Sequence, residues 1–419
     1  MILNDLCEFI IDCEHKTAPT QETGYPSIRT PNIGRGNLIL EDVNRVSEEV
    51  YQDWTKRGKP KGGDLIIARE APVGNVAIIP EGLKVCLGQR TVLVRPNNDK
   101  VDSRYLCYYL LGNEAQGQIL TKTSGATVAH LNMKDIRGLK ISYLPNPSTQ
   151  KKIASILSAY DDLIENNNQR IKLLEDMAEE IYKEWFVRLR FPGYNEAVFL
   201  DKDGKQVAPG TKGAIPDGWE KKSIKEIVHN KKEKYKEEEH FHLGIFDLSR
   251  MPRKSLLIPQ FGDSGELESS RIIFKENDIL FGSIRSYFHK VSSANKNGIT
   301  NVSVLIFRPK KEIYRSYSLF TFFSNQFINW SINFSNGTKM PTISWNEVQN
   351  YSINKPTDDL LKSFEEIVFP MIKEIHVLSD KNIVLQETRD LLLPRLISGK
   401  LSVENLELET LHMAAEPQE

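Results

Sequence analysis

Several features that mark common protein classes are scarce in this sequence or absent from it. Its 419 residues include four cysteines, with no CxxC pair and no histidine at ligand spacing, so the sequence predicts neither a disulfide framework nor a zinc site. No stretch approaches the roughly eighteen apolar residues of a membrane span, and no basic residue precedes the first apolar run. We therefore expect a soluble, cytoplasmic protein that makes no membrane contact.

An excess of charge of one sign is also missing. Lys and Arg total 55 against 56 Asp and Glu, which gives a net charge of −1. The chain as a whole therefore has no electrostatic attraction for a polyanion such as DNA. If nucleic acid is its partner, basic residues must be concentrated at particular positions.

Motifs for chemistry on DNA are missing or weak. A methyltransferase would need a glycine-rich turn after a strand and an Asn/Asp-Pro-Pro-aromatic motif, and the sequence contains neither. A metal-dependent nuclease of the Asp…Glu-x-Lys type could use Asp203, Glu220 and Lys222, but so short a pattern occurs by chance, and Glu220–Lys222 fall on a predicted strand. The alternation "HFH" (240–242) has no acidic or thiol partner. We predict that the chain has no catalytic residues and binds no metal.

What the sequence does contain is a long internal repeat. The phrase "TSGATVAHLNMKDIRGLKI" (121–139) returns as "FSNGTKMPTISWNEVQNYSI" (334–353). Short alternating apolar runs bounded by Gly, Pro and Asn precede both copies and predict two β-rich domains in the same order. The alignment pairs Gly125 with Gly337, Leu131 with Ile343 and, upstream, Asp64 with Asp278.

A different pattern separates and follows the two domains. Between 146 and 190 apolar residues recur every seven positions, the a/d pattern of a helix packed against another helix, with Ser148 or Thr149 as the expected N-cap. The second half repeats the pattern more weakly, and Pro370 and Pro394 are expected to kink or cap that helix. Two unrelated helices that each pack on their own domain are the alternative. The predicted seam consists of Ile153, Leu157, Tyr160, Ile164, Asn167, Ile171 and Leu174 on the first helix and Phe364, Met371, Leu378 and Leu385 on the second.

These patterns predict an α+β protein in which two β-rich domains alternate with two long antiparallel, coiled-coil-like helices, with pseudo-twofold internal symmetry. A helix of roughly 35–40 residues would span about 50–60 Å, a distance suited to reading one DNA duplex at two places. The predicted boundaries are 1–147 for the first domain, 148–190 for the first helix, 191–218 for a linker with a hairpin turn at Asp203–Gly204, 219–356 for the second domain, 357–403 for the second helix and 404–419 for a disordered tail.

The sequence resembles the specificity subunit of type I restriction–modification systems. The resemblance rests on "KGGDLIIAREAPVGNVAII", "LGQRTVLVRP", "SGATVAHLNMKDI", "QKKIASILSAYDDLIENNNQRIKLLE" and "ETRDLLLPRLISGKL", which extend through nearly all of residues 1–403 in the family's order. It implies that each β-rich domain is a target-recognition domain for one half of a split, asymmetric DNA sequence. It also implies that the helices bind two methyltransferase subunits, and that nuclease/translocase subunits join through the complex.

The resemblance further implies that S-adenosylmethionine binds the methyltransferase partner and that ATP and Mg bind the nuclease partner, with no cofactor on this chain. Two alternatives stay open: a scaffold that reads no DNA, and a specificity factor of a complex that only methylates. Bases are read chiefly by Arg, Lys, Asn and Gln on loops, and phosphates are held by Lys, Arg, Ser and Thr. The predicted DNA-binding residues are Arg29, Thr30, Asn32, Arg35, Arg69, Lys122, Ser124 and Thr127 in the first domain and His242, Arg250, Arg253, Arg285, Tyr287, His289, Asn336, Thr338 and Lys339 in the second.

Overall fold

A computed structural model describes residues 1–123, 130–262 and 270–405 of the chain. The chain forms two compact units, the first comprising Met1–Ile164 with Leu385–Glu419 and the second comprising Glu165–Val384. Most of the tail that we predicted to be disordered lies outside the described residues. No helix in the described ranges is both long and apolar enough to cross a membrane.

The first unit is built around short strands followed by short helices. Its strands are β1 (Cys7–Asp12), β2 (Tyr25–Ile28), β3 (Arg45–Val46), β4 (Leu65–Ala68), β5 (Val76–Ile78), β6 (Cys86–Leu87) and β7 (Thr91–Pro96), and its short helices are α1 (Glu48–Trp54), α2 (Ser103–Leu111), α3 (Asn113–Lys122) and α4 (Met133–Arg137). The long helix α5 (Pro147–Tyr182) follows, and it continues as one π-helical turn, Lys183–Val187.

The main sheet of the first unit has the antiparallel order β1-β7-β4-β5. Side chains alternate between the two faces of a strand. In β4, Leu65 and Ile67 therefore pack towards α2 and α3, whereas Ile66 and Ala68 enter a separate apolar cluster on the opposite face. Because both faces are covered, the strand is apolar at every position, which explains the run "LIIA".

The second unit has a closely similar order of elements. Its strands are β8 (Phe199–Leu200), β9 (Gln206–Val207), β10 (Ile215–Pro216), β11 (Glu220–Ser223), β12 (Val228–Lys231), β13 (Glu233–Lys234), β14 (Arg271–Phe274), β15 (Ile279–Gly282), β16 (Val291–Ser293), β17 (Gly298–Asn301), β18 (Val304–Pro309) and β19 (Ser352–Lys355). Its helices are α6 (Glu237–His240), α7 (Arg315–Phe323), α8 (Asn325–Asn333) and α9 (Trp345–Val348), together with the part of the long helix α10 (Asp358–Ile397) up to Val384.

The two units contain the same sheet, which confirms the predicted repeat. In the second unit the order is β12-β18-β15-β16, which matches β1-β7-β4-β5 strand for strand. The predicted pairing of Leu131 with Ile343 is also confirmed, because Leu131 N donates to Arg69 O at 3.0 Å and Ile343 N donates to Ser283 O at 3.0 Å. Arg69 and Ser283 are thus equivalent positions.

A buried aspartate closes the same ion pair in both sheets. Asp64 accepts two hydrogen bonds from Arg95, at 2.8 and 2.7 Å, and Asp278 accepts two from Arg308, both at 2.7 Å. Each aspartate is only 1% exposed and also accepts a backbone N–H three residues earlier, from Lys61 or Lys275. We call this arrangement the Asp–Arg clasp. Paired donors of this geometry make strong, directional bonds.

The segment 191–218, predicted as a linker, contains a small three-stranded sheet with the order β10-β8-β9. The predicted hairpin turn at Asp203–Gly204 is confirmed, since β8 pairs with β9 and Gly204 adopts a φ of 77°. Phe199 and Trp219 anchor this segment in the main apolar cluster of the second unit. Asp203 lies in the exposed turn, and Lys222 pairs with Glu220 at 2.9 Å.

The first long helix begins one residue before the predicted N-cap. Asn146 Oδ1 accepts the Thr149 backbone N–H at 2.9 Å, and Pro147 is the first helical residue. The N-cap prediction of Ser148 or Thr149 was therefore wrong. Proline suits the first turn because its missing N–H would have no partner there. Helix α10 continues through both Pro370 and Pro394.

Within each unit the two long helices pack against each other in antiparallel fashion. In the first unit Asp161 pairs with Arg389 and Lys152 Nζ donates to Glu404 O. In the second unit Asn167 Nδ2 donates to Asn382 Oδ1 at 2.8 Å, and Asn382 Nδ2 donates to Asn168 Oδ1 at 2.9 Å. Of the predicted seam residues, Ile153, Leu157, Ile164, Asn167, Ile171, Phe364 and Leu378 are buried, and Tyr160, Leu174, Met371 and Leu385 are half-buried.

Candidate nucleic-acid interface

In the second unit three loops meet at the end of the main sheet. The first loop comprises residues 248–254, the second joins β15 to β16 (283–290), and the third comprises residues 336–342. Lys254 N donates to His289 O at 2.9 Å, and Lys290 Nζ donates to Leu248 O at 2.7 Å. On the other side, Arg285 N donates to Pro341 O at 2.7 Å. We call these three loops together the tip cluster.

Two residues of the tip cluster hold an unusual backbone conformation. Arg285 and His289 flank a 3-10 turn, Ser286–Phe288, and both have a φ of +52°. Residues other than glycine rarely adopt such φ values, and this conformation persists only where surrounding contacts fix it. His289 supplies one such contact, because its buried ring bonds Phe323 O at 2.7 Å. Burial lowers the pKa of His289, which favours the neutral ring.

The tip cluster is rich in cations. Arg253 stacks its guanidinium 4.1 Å from the centre of the Phe288 ring, and Arg285 Nη2 lies 3.4 Å from Lys339 O. Lys254 and Lys339 are exposed. Positive side chains on neighbouring loops provide the local charge that the neutral chain lacks as a whole, and such patches hold DNA phosphates.

Seven of the predicted residues of the second domain belong to the tip cluster's exposed surface or support it from within. Arg253, Tyr287, Asn336, Thr338 and Lys339 are exposed, and Arg285 is partly exposed. His289 is buried beneath them. Arg250, on the first loop, pairs with Asp247 at 3.2 Å, and the exposed His242 contacts Phe241 outside the cluster. Their role in binding DNA stays a prediction.

In the first unit the predicted Arg69 is part of a buried network. Its side chain is mostly buried and bonds Asp12 Oδ2 at 2.5 Å, Leu131 O at 2.9 Å and the His130 ring at 2.8 Å. His130 in turn lies 2.9 Å from Glu70. Each of the three guanidinium nitrogens of Arg69 therefore has a protein partner. This geometry suits a residue that positions the neighbouring loops.

The predicted loop 25–37 presents two exposed arginines and uses two other polar residues internally. Arg29 and Arg35 are exposed, and Arg35 Nη2 donates to Leu111 O at 3.3 Å. Asn32 is buried, accepts the Arg29 backbone N–H and donates to Ile39 O. Thr30 is buried as well. Lys122 Nζ donates to Gly138 O at 3.3 Å. Ser124 and Thr127 lie outside the described residues.

Sequence reasoning missed two exposed cations at equivalent ends of the two sheets. Arg90, on the turn before β7, has a side chain 62% exposed and pairs with Glu70 at 2.9 Å. Its backbone oxygen accepts Arg69 N, just as Ser303 O accepts Ser283 N in the second unit. Lys254, next to the predicted Arg253, is the other. The position of Arg90 in a turn, "LGQR", was the available signal.

No group of three or more His, Cys, Asp or Glu side chains that could hold a metal ion occurs within residues 1–123, 130–262 and 270–405. All four cysteines lie in the first unit, where burial raises the pKa of each thiol. Burial raises the pKa of the Cys7 and Cys107 thiols to about 12, so both stay protonated near neutral pH.

Comparison with known proteins assigns the family. A family described as the type I restriction modification DNA specificity domain matches residues 1–176 and 216–384. The chain belongs to this family. The two matched segments coincide with the two halves of the internal repeat, so each half of this specificity-family chain carries one copy of the domain.

Relatives of this specificity-family chain extend over most of its length. The MjaIX specificity subunit of a type I restriction enzyme from Methanocaldococcus jannaschii is 28% identical over 385 residues, which cover 88% of this chain and 84% of that protein. The HindI specificity subunit from Haemophilus influenzae is 21% identical and covers 81% and 87%. A crystal structure of the type I S subunit from M. genitalium has the same fold, with a TM-score of 0.57, 14% identity and coverage of 94% and 95%.

Proposed function

We propose that the chain recognises a split, asymmetric DNA sequence, with one half read by each repeat. The observation that carries this proposal is that the same sheet occurs twice, while the loops at one end of it differ between the two copies. Equivalent backbone hydrogen bonds hold Arg69 and Ser283, yet the first is a buried ion-pairing residue and the second a small hydroxyl. Two copies of one scaffold that carry different loops are suited to reading two different base sequences.

The chain contributes recognition and assembly in this proposal, with no chemical step of its own. Two methyltransferase subunits bind the long helices and supply S-adenosylmethionine chemistry, and nuclease/translocase subunits that use ATP and Mg join through them. The name of the M. jannaschii relative, a specificity subunit of a restriction enzyme, supports this division of labour. Solvent-facing apolar residues on the helices, such as Leu173 and Met177 in the second unit, offer contact area for such partners.

The proposal is tested by sequencing DNA methylation in a host that expresses this chain with its cognate methyltransferase subunit. The control host expresses the methyltransferase alone. We expect a motif of two short blocks around a fixed unspecified gap, present only with this chain. Methyltransferase that is active and bound to the chain, with no new methylated motif, would instead favour a scaffold that reads no DNA.

The length of the gap is proposed to depend on the long helices. Helix α5 has 36 residues and so measures about 54 Å at roughly 1.5 Å per residue. Deleting four residues between 160 and 180, about one helical turn or 6 Å, is expected to change the gap while both half-site sequences stay the same. An unchanged gap in a folded, active complex contradicts this proposal.

A further inference from the structure

Tyr287 is the one exposed aromatic residue in the three loops of the tip cluster, all of which the structure describes. Its side chain is 50% exposed, although tyrosine rings in this unit are otherwise mostly buried, such as Tyr317 and Tyr351. It lies at the centre of the 3-10 turn Ser286–Phe288, with its ring packed edge-on against Phe288 at 4.8 Å between ring centres. A large apolar ring in that place contributes little to the core.

The backbone on both sides of Tyr287 is fixed. Arg285 N is bonded to Pro341 O at 2.7 Å on one side, and His289 O accepts Lys254 N at 2.9 Å on the other. Phe288 is covered by the Arg253 guanidinium, and the His289 ring is bonded to the end of α7 through Phe323 O. The loop therefore loses little backbone freedom when it binds, because contacts on both sides of Tyr287 already order it.

The corresponding loop of the first repeat has no such feature. It comprises residues 69–75, "REAPVGN", and contains no aromatic residue. Val73 is partly buried and packs on the core of the first unit, while the side chain of Gln116 bonds Gly74 O at 2.9 Å. The projecting ring therefore belongs to the variable end of the repeat, whereas the Asp–Arg clasp belongs to its common part.

We propose that Tyr287 reads a base in the half-site recognised by the second repeat, while Arg253, Lys254, Arg285 and Lys339 hold the flanking phosphates. An aromatic ring can contact the apolar edge of a base, such as the thymine methyl group, and the tyrosine hydroxyl can bond a base edge. Cations around the ring give affinity without sequence preference. The inference rests on the proposed function, because it assumes that this end of the sheet faces DNA.

The test uses the complex of this chain with methyltransferase subunits. It compares the wild-type chain with three variants of it, Tyr287→Ala, Tyr287→Phe and Phe241→Ala. Phe241 is the matched control, since it is 65% exposed in the same unit but lies outside the tip cluster. Each complex is titrated with an unmodified duplex that carries the motif found by methylation sequencing, and with every single-base variant of that duplex. We expect Tyr287→Ala to reduce discrimination at one position of one half-site from about tenfold or more to about threefold or less, with the other half-site unchanged. Phe241→Ala should leave all ratios unchanged.

Two results would overturn the proposal. One is unchanged discrimination at every position in Tyr287→Ala, and the other is an equal loss of binding to all duplexes, which would indicate a phosphate or structural role. Tyr287→Phe separates the two modes of contact: retained discrimination assigns the reading to the ring, and lost discrimination assigns it to the hydroxyl. Failure of the proposed function is distinct, because then the wild-type complex itself shows no preferred motif.

Discussion

Replacing the clasp aspartate in each repeat by asparagine should destabilise the two sheets unequally. The substitution keeps the shape of the side chain but removes its charge and turns one acceptor into an N–H donor facing the arginine. In the first repeat Arg95 is then left with the Lys59 backbone oxygen and the face of Phe9, and no hydrogen-bonded carboxylate. In the second repeat Arg308 keeps Glu233, whose Oε1 lies 2.7 Å from Nη1.

The expected magnitudes follow from this difference. Removing one partner of a buried ion pair costs about 3–5 kcal/mol, because a charge is left buried without compensation. We expect Asp64→Asn to lie in that range, since both Asp64 and Arg95 are well covered. For Asp278→Asn the remaining charge is still paired, so the loss should be nearer the about 1.5–3 kcal/mol of a hydrogen bond to a charged group.

Hydrogen exchange of backbone amides measures each sheet separately in the full chain. Every 1.4 kcal/mol is tenfold in rate, so Asp64→Asn should speed exchange in β4 and β7 by about 150-fold or more and leave β15 and β18 unchanged. Asp278→Asn should speed exchange in β15 and β18 by about 10- to 150-fold and leave β4 and β7 unchanged. Equal effects, or a larger effect in the second repeat, would refute the role given to Glu233.

Three further predictions concern the helices and the tip cluster. Asn167→Leu should destabilise the second unit by about 1–3 kcal/mol because Asn382 Oδ1 loses its donor, and adding Asn382→Leu should recover stability in urea unfolding; additive losses would contradict the pairing. Burial lowers the pKa of His376 to about 4, whereas a histidine in the unfolded chain has a pKa near 6.5. The stability that the neutral ring contributes is therefore fully present above pH 6.5 and is lost as the pH falls towards 4, with a loss of about 2 kcal/mol at pH 5. His376→Gln should remove that part of the acid sensitivity, and an unchanged pH profile would exclude this cause. Arg285→Ala and Lys339→Ala should each lower the slope of log affinity against log salt by about 0.9, whereas an unchanged slope would remove that residue from the phosphate contacts.

The repeated scaffold could be predicted from the sequence because it depends on local patterns. Alternating or continuous apolar residues indicated the strands, and aligning Asp64 with Asp278 placed both on the same sheet position, where each forms its clasp. The seven-residue spacing indicated that Asn167 belongs to the helix seam. These features involve residues that are near in sequence or that recur at a nearly constant offset of 212 to 214 residues.

The loop ends could not be predicted in the same way, because distant partners decide which polar groups stay exposed. Arg69 has the composition and loop position of a DNA-binding residue, yet Asp12, 57 residues earlier, and His130, 61 residues later, surround its guanidinium. The Asn32 side chain likewise forms its hydrogen bonds with the backbone of its own loop. Conversely, Arg90 escaped notice because its exposure depends on how the turn before β7 lies beside the β4–β5 loop.

The hydrogen bond between the amides of Asn167 and Asn382 favours one register of the two long helices over registers shifted by seven residues. If one helix slid along the other by seven residues, apolar positions would still meet apolar positions, but Asn167 would face Ile375 or Arg389 in place of an amide. Such a slip displaces a helix by about 10 Å, the length of about three base pairs. If the helices set the gap between the two recognised blocks, as proposed, this buried amide pairing would keep that gap at a single length.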